Sequence, residues 1–470
     1  MNKIGLTNFR KFVELPIMDF GGITALVGGN NSGKTSIIKG ALLMHDFIQT
    51  KIGKDGICAP EFKFNSEHVN TGNFESSFCN DGDGNTMTFE YGLEDFVIKV
   101  AVQRVEEVNK DSEVSSIEIN DTVNNVKFNI DFDDKCHVFV LFGLSEEEKA
   151  IKEKIEEGIN ASRMRGYNAY KKHNNIGNES KDIADFTKNN VSPEDHVKSK
   201  FFNVTLDENA AFHSGEYLLV ELISAIANKS KIEEKTPLLM RIADRLDQAI
   251  DKDVVDYICT PSLSLSRNED NDTTNVILDF YEAHISENDE EFLFLQKWLE
   301  EFEIGTSIKV CPNLLNNNDV IVYEGTSDHG VDLADMGKGS MRMAILLMRL
   351  ATLIHDHKGD NVCVIIEYPE MYLYPALQSK LADILFDLYK QFGFHSIVET
   401  HSEYLIRESQ VIVANANKYL RGYESPFMVY YLPDNGELPY LMNYRSDGLF
   451  SNEFGEGFYN ASIKLLYKIL

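Results

Sequence analysis

The chain begins with alternating apolar and polar positions that give way to a short apolar run. Within residues 3–27, KIGLTNFRKF alternates and GGITALVGG contains a continuous apolar run. These two patterns predict two strands, the second of them buried. The polar loop GGNNSGKT comes next, and TSIIKGALLMHDFIQTKI after it predicts a helix. A buried strand, a glycine-rich loop and a helix in succession are typical of an α/β fold.

The pattern changes twice further along the chain. Residues 85–141 contain short strand-like runs, among them TMTFEYGL, FVIKVAVQRV and CHVFVLF, separated by polar turns, and they predict an antiparallel sheet. Ser145 and Glu148 then have the spacing of a capping box, which predicts the start of a charged helix. From there to about residue 305 the apolar spacing is mainly helical. Beyond residue 306, strands and helices alternate, as in a parallel sheet.

These patterns predict an α/β domain that is split by a mainly helical insertion. The N-terminal part is expected over residues 1–144, with the glycine-rich loop and the antiparallel sheet. The insertion is expected over residues 145–305, and the C-terminal part over residues 306–470. A length of 470 residues is enough for this arrangement.

Composition narrows the class of protein. The chain is 43% hydrophobic and 26% charged, as in soluble globular proteins. No window approaches the roughly 18 apolar residues of a membrane span, and MNKIGLTNFRKF has no signal-peptide core. We therefore expect a cytoplasmic protein with no membrane partner. The 6 cysteines form no CxxC pair and are expected to be free thiols.

The charge balance disfavours general binding to DNA. The chain has 45 basic and 75 acidic residues, a net charge of −30, which repels a phosphate backbone. Residues 158–178 are an exception, because Arg163, Arg165, Lys171 and Lys172 alternate there with tyrosines and no acidic residue interrupts them. Such a stretch fits a single-stranded nucleic acid, but a solvated or partner-facing loop is the favoured interpretation.

The glycine-rich loop carries the most specific local motif. Gly28–Thr35, GGNNSGKT, fits the pattern G-x-x-x-x-G-K-[ST] between a strand and a helix. Its backbone N–H groups can hold phosphates, Lys34 can reach the outer phosphates, and Thr35 can hold Mg²⁺. Arg10, about twenty positions upstream, can fold over a triphosphate. The predicted nucleotide-binding residues are Arg10, Asn30, Asn31, Ser32, Gly33, Lys34, Thr35 and Ser36.

Three further motifs follow more than 300 residues later. A Gly-Lys-Gly-Ser turn at residues 337–340 precedes a long apolar helix, and its N-terminus can bind an anion. Residues 362–375, VCVIIEYPEMYLYP, form an apolar strand that ends in Glu367. A second strand, in FHSIVETHSEYLI, ends at Thr400, His401 and Ser402, and offers an imidazole at the edge of the sheet.

In this order the motifs resemble the ABC-type ATPases of the SMC, RecF and OLD group, over nearly the whole chain. NFRKF, KWLEEFEIG at residues 297–305 and the tail SDGLFSNEFGEGFYNASIKLL add to the resemblance. It implies an ABC-type P-loop ATPase head with ATP and Mg²⁺, Thr35 and Glu367 being the metal residues. It also implies a head-to-head dimer in which Gly337, Lys338, Gly339 and Ser340 of one copy meet the γ-phosphate held by Lys34 of the other. His401 would sense that phosphate.

The acidic strand end departs from the family pattern. Such strands usually end Asp-Glu-Pro-Glu, whereas this chain has Glu367, Tyr368, Pro369 and Glu370. A phenol with a pKa near 10 is a poor base at neutral pH. We therefore expect slow hydrolysis, with Glu367, Glu370 and His401 as the candidate catalytic residues. The sequence leaves two replacements for the missing acid open: Glu370, or Glu367 with its extra methylene.

Three functions fit these observations. The first is a nucleotide-gated oligomeric switch that controls a separate effector, a nuclease or toxin, similar to the ATPase subunits of anti-phage systems such as PARIS or Septu. Only 68 residues (470 minus 402) follow the THS motif, too few for the TOPRIM nuclease of OLD proteins. The second is a DNA-repair clamp similar to RecF. The third is a catalytically inert nucleotide-binding scaffold.

Overall fold

The structure is a computed structural model in which two compact units are distinguished. It describes residues 1–52, 60–107, 110–132, 138–144, 202–206, 213–229, 236–263, 265, 272–311, 319–325, 329–419, 424–434, 436–455, 458–459 and 467–468. The first unit comprises residues 1–49, 63–94 and 248–470, and the second comprises residues 50–62 and 95–247.

Strands and helices are numbered in chain order through both units. The strands of the first unit are β1 (Lys3–Phe9), β2 (Phe12–Asp19), β3 (Ile23–Gly28), β4 (Thr86–Leu93), β10 (Asp253–Cys259), β11 (Ser307–Cys311), β12 (Asp319–Tyr323), β13 (Val331–Asp332), β14 (Asn361–Glu367), β15 (His395–Glu399), β16 (Phe427–Leu432) and β17 (Tyr440–Met442). Those of the second unit are β5 (Phe96–Glu107), β6 (Lys110–Asp121), β7 (Val126–Phe132), β8 (Val138–Leu144) and β9 (Phe202–Leu206). The helices are α1 (Lys34–Ile48), α2 (Phe74–Ser77), α3 (Leu218–Lys229), α4 (Thr236–Lys252), α5 (Asp272–Glu282), α6 (Glu290–Glu301), α7 (Lys338–Asp356), α8 (Pro375–Phe392) and α9 (Glu403–Tyr419).

The first unit is built on a mostly parallel sheet with strand order β10-β14-β15-β3-β16-β17, in which only β17 is antiparallel to its neighbour. All six residues of β3 are buried, as are the last six residues of β14. Continuous apolar strands of this kind are expected where helices cover both faces of a sheet. The parallel register places Glu367 opposite Glu399 and Glu399 opposite Leu26. The carboxyl ends of β14, β15 and β3 therefore meet at one edge, where α/β proteins bind ligands.

Helices α6 and α7 contribute many buried side chains to the core of the first unit. The α6 side chains Phe294, Leu295, Trp298 and Leu299 are all buried. Helix α7 buries thirteen residues, among them every residue from Met341 to Met348. Because burial of one large apolar side chain is worth about 1.5–3 kcal/mol, this packing holds the N-terminus of α7 in place.

The other strands of the first unit pair in an antiparallel manner. Strand β1 pairs with β2 and β4, and β12 pairs with β11 and β13. No helix among the residues that the structure covers is both long and apolar enough to cross a membrane.

The second unit is an antiparallel run of strands, in the order β5-β6-β7-β8-β9. Arg245 of α4 donates to both carboxylate oxygens of the fully buried Asp121, at 3.1 and 2.9 Å, and to Asp95 at 3.1 Å. Buried carboxylates require such partners, because an unpaired charge in the interior is costly. This ion pair therefore ties helix α4 to the turns at the ends of β5 and β6.

The structure confirms the mixed α/β fold. Within the region that the sequence predicts to be mainly helical, residues 253–259 form β10, a strand of the parallel sheet. Residues 202–206 form β9, a strand paired with β8. The capping box at Ser145 and Glu148 and the basic stretch at residues 158–178 lie outside the described residues.

Candidate functional site

The loop Gly28–Thr35 joins β3 to α1 at the carboxyl edge of the parallel sheet. Gly33 has φ of 111°, a region that favours glycine, and a Cβ there would lie 2.6 Å from Cζ of Phe12. Gly28 has φ of 154° and packs against the backbone of Leu432. The glycines therefore let the backbone turn tightly around the N-terminus of α1, where free N–H groups favour an anion.

Lys34 lies under this loop. Its ammonium donates to the carbonyl oxygens of Gly28 at 3.1 Å and Gly29 at 2.7 Å, and the residue is only 3% exposed. Burial lowers the pKa of Lys34, while the carboxylates of Glu399, Asp434 and Glu370 act in the opposite direction. A buried cation that is held by two carbonyl groups at a helix N-terminus can pair with phosphate oxygens.

A cleft of about 670 Å³ opens above the loop. This volume lies within the usual range for a small-molecule site. The cleft is lined by Arg10, Lys11, Asn30, Asn31, Ser32, Gly33, Lys34, Thr35, Ser36, Tyr368 and Glu399. The structure thus brings together all eight residues that the sequence predicted for nucleotide binding. Within the part of the chain described, Nη1 of Arg10 is buried and has no hydrogen-bond partner.

Glu399, the last residue of β15, belongs to the site but was missed by the sequence reasoning. The hydroxyl of Thr35 donates to its Oε2 at 2.8 Å and to its Oε1 at 3.0 Å. Glu399 is 1% exposed. A signal was present, since ETHS places an acidic residue at the end of a buried strand, two positions before the predicted histidine.

Glu367 ends β14 beside Glu399 but has its contacts on the other side, with β10. The thiol of Cys259 donates to its Oε2 at 3.8 Å, and Tyr257 also hydrogen-bonds to Glu367. Its Oε1 is buried without a hydrogen-bond partner among the described residues. Burial, and then the neighbouring Glu399, raise the pKa of Glu367. Thr35 therefore has its carboxylate contact with Glu399, and the metal role of Thr35 and Glu367 stays a prediction.

Tyr368 replaces the acid of the family pattern. Its phenol donates to Oε1 of Glu399 at 2.5 Å, and its ring stacks on that of His401 with centroids 5.3 Å apart and planes inclined by 16°. The φ of 50° lies in the left-handed region, which is uncommon for a bulky residue and marks a constrained backbone. Burial and the bond to Glu399 raise the pKa of Tyr368 well above its ordinary value. The phenol is therefore unsuited to accept a proton at neutral pH.

Glu370 and His401 lie next to each other at the same edge. The backbone N–H of His401 donates to Oε1 of Glu370 at 2.7 Å, while Oε2 is buried without a partner in the described portion. Burial raises the pKa of Glu370. Burial and the charge of Lys34 lower the pKa of His401, so its imidazole is neutral at pH 7.

The predicted signature residues Gly337, Lys338, Gly339 and Ser340 lie elsewhere on the first unit. They begin helix α7, with Gly337 at the N-cap, and they are partly or fully exposed. A Cβ at Gly339 would lie 2.6 Å from the carbonyl oxygen of Tyr372, in the loop after β14. Of the described residues that line the cleft, none belongs to this segment.

The residues at the sheet edge fit a magnesium ion. The described chain has no group of three or more His, Cys, Asp or Glu that could enclose a metal. Mg²⁺ bound with a nucleotide needs no such cage, because one or two oxygen side chains suffice beside phosphates and waters. The Thr35 hydroxyl, the Glu399 carboxylate and the free Oε1 of Glu367 offer oxygens of this kind.

Comparison with known proteins gives one family. The model of the AAA ATPase domain matches residues 1–406. No curated protein matches. Among solved structures, an Smc head domain from Pyrococcus furiosus bound to the C-terminal domain of ScpA is 10% identical, with 100% of this chain and 98% of that one covered and a TM-score of 0.33. The SMC head domain from Thermotoga maritima is 11% identical, with coverage of 94% and 98% and a TM-score of 0.35.

Proposed function

The chain belongs to the AAA ATPase domain family, and from this premise we propose that it is a slowly hydrolysing ATPase that acts as a nucleotide-gated switch. The observation that carries this proposal is the cleft, where the Gly28–Thr35 loop, Lys34 and Arg10 offer donors to a triphosphate. Mg²⁺, when bound, would neutralise phosphate charge and polarise the terminal phosphoryl group.

The side chains around the terminal phosphate support slow turnover. The phenol of Tyr368 stands where the family has a carboxylate and already donates to Glu399. Glu370, with one free carboxylate oxygen, is the nearby group that can orient a water molecule. The neutral imidazole of His401 can donate a hydrogen bond to a phosphate oxygen, as the resemblance implies. An inert nucleotide-binding scaffold is the second candidate, since Tyr368 favours it too. Single-turnover phosphate release distinguishes a slow ATPase, which releases phosphate, from an inert scaffold, which does not.

A second copy of the chain is the proposed partner in the switch. In this proposal the Gly337–Ser340 segment of one copy meets the γ-phosphate held by Lys34 of another. The support is that the segment is partly or fully exposed and begins helix α7, whose N-terminus favours an anion. ATP would then close a head-to-head dimer or a larger homo-oligomer, and hydrolysis would open it.

The output of the switch is proposed to be a separate effector protein, a nuclease or toxin, in a prokaryotic anti-phage system. The support is the resemblance in motif order. The expected location is the cytoplasm. A DNA-repair clamp is less favoured, because a net charge of −30 opposes binding to a phosphate backbone.

The test is ATP binding by Lys34→Ala. Charged hydrogen bonds contribute about 1.5–3 kcal/mol each, so we expect affinity to fall by about 10²-fold or more. Lys390→Ala, which removes an exposed lysine of α8, is the control and should bind ATP like the wild type. Isothermal titration calorimetry measures both. Wild-type affinity in Lys34→Ala would exclude the Gly28–Thr35 loop as the nucleotide site.

A further inference from the structure

Two glutamates end neighbouring strands of the parallel sheet, and only one of them faces the cleft. Glu367 of β14 and Glu399 of β15 are directly opposite in the parallel register. Glu399 lines the cleft together with the Gly28–Thr35 loop, whereas Glu367 is not among the described residues that line it. The family pattern assigns the metal to the end of β14, so the geometry and the pattern disagree on which carboxylate is used.

Two residues, Thr35 and Tyr368, donate hydrogen bonds to Glu399. Thr35, the P-loop hydroxyl that is expected to bind the metal, donates to both of its carboxylate oxygens, at 2.8 and 3.0 Å. Tyr368 donates to the same carboxylate with its phenol, at 2.5 Å. The backbone N–H of Tyr368 also donates to the carbonyl oxygen of Glu399, at 2.8 Å. Side chain and backbone of one residue therefore fix the position of the carboxylate.

Glu367 is oriented differently. Its Oε2 faces the thiol of Cys259, and Tyr257 also hydrogen-bonds to it, both from the edge strand β10. Glu367 therefore faces β10, whereas Glu399 faces the cleft and contacts Thr35 of the glycine-rich loop.

We infer that Glu399, with Thr35, is the carboxylate that holds the divalent cation beside the phosphates, and that Tyr368 is a positioning residue for Glu399. The inference rests on the proposed ATPase function, and it assigns the cation to the end of β15 in place of β14. The phenol that replaces the family's acid then has a task of its own, since its short hydrogen bond orients a metal-binding carboxylate.

The experiment compares the affinity for a non-hydrolysable ATP analogue in Mg²⁺ and in EDTA, by calorimetry. In Glu399→Gln we expect the gain from Mg²⁺, taken as the ratio of the affinities in Mg²⁺ and in EDTA, to fall by about 10-fold or more, while measurable binding in EDTA shows that the pocket is folded. The matched variant Glu367→Gln should keep the gain from Mg²⁺. Glu399→Asp, which retains the charge, should recover part of it.

The results distinguish failure of the Glu399 assignment from failure of the proposed function. If Glu399→Gln keeps the Mg²⁺ effect, or if Glu367→Gln loses it as well, the assignment to Glu399 is overturned, while the proposed function stands because both proteins still bind the nucleotide. If the wild type binds no ATP in either buffer, the proposed function fails, and the inference with it.

The positioning role of Tyr368 is tested by Tyr368→Phe, which removes only the hydroxyl and keeps the ring that stacks on His401. With Mn²⁺ as the probe and the ATP analogue bound, electron paramagnetic resonance measures the affinity for the cation. We expect that affinity to fall several-fold, by less than in Glu399→Gln, while measurable nucleotide binding in EDTA shows that the pocket is folded. Unchanged Mn²⁺ affinity would show that the hydroxyl does not position Glu399.

Discussion

Tyr368→Glu restores the acid that the family carries directly after β14, and it should speed ATP hydrolysis. In the wild type this position offers only a phenol whose pKa is raised by burial and by its bond to Glu399. A carboxylate that orients and deprotonates water typically increases the rate by 10²–10⁴-fold. We therefore expect turnover to rise by at least about 10²-fold, which corresponds to an activation barrier lower by about 2.7 kcal/mol.

The same change should lower the stability of the nucleotide-free protein. It removes the 2.5 Å hydrogen bond to the carboxylate of Glu399, and bonds to charged groups are worth about 1.5–3 kcal/mol. It also adds a third acidic side chain next to Glu367 and Glu399. We therefore expect a lower melting temperature without ligand than in the wild type.

Steady-state phosphate release measures the rate, and differential scanning fluorimetry with and without Mg²⁺-ATP measures the stability. Tyr368→Gln is the matched control, since it loses the same hydrogen bond without supplying a base. Tyr374→Glu, on an exposed tyrosine of the same loop, controls for added charge. If Tyr368→Glu hydrolyses ATP no faster than Tyr368→Gln, the reasoning that water is activated at this position is refuted.

Two further predictions concern other carboxylates. Glu370→Gln should reduce hydrolysis by on the order of 10²-fold and trap an ATP-bound assembly, which size-exclusion chromatography with light scattering would detect; a monomer that hydrolyses normally would contradict this. Asp383 on α8 has its pKa raised to about 6 by burial, by Glu408 and by Asp387. Because the folded state binds this proton more tightly than the unfolded state, stability falls as pH rises from about 4 to 6. Asp383→Asn should therefore stabilise the protein at pH 7 by about 1 kcal/mol after screening by solvent, and not at pH 4; denaturant unfolding at both values checks this.

The glycine-rich site was predictable from the sequence because its parts are contiguous. Gly28–Thr35, the strand before it and the helix after it lie within about twenty-five residues, so periodicity and motif place Lys34 and Thr35 without tertiary information. Glu399 was not predictable in the same way, because it reaches Thr35 only through the parallel register of β15 and β3, across 364 positions of the chain.

Strand β10 was not identified from the sequence, for a related reason. The run DVVDYIC at residues 253–259 follows a long helix and is rich in β-branched residues, but it is too short for its period to be decisive. It becomes a strand because β14 offers it a parallel partner along all seven residues. Tertiary pairing, which no local pattern contains, decided the assignment.

The loop after β14 touches both surfaces that a nucleotide would contact in the proposed dimer. Tyr368, at the start of this loop, donates a hydrogen bond to Glu399 in the cleft. Tyr372, four residues later, packs against Gly339 with its backbone, and the guanidinium of Arg342 lies over the Tyr372 ring, 4.6 Å from the ring centroid. Backbone bonds from Met371 to Tyr368 and from Leu373 to Glu370 stiffen the loop between them. A subunit would thus sense its own phosphate and its neighbour's through one short rigid segment. The two sites of a dimer should then hydrolyse ATP cooperatively, with a Hill coefficient for ATP above one.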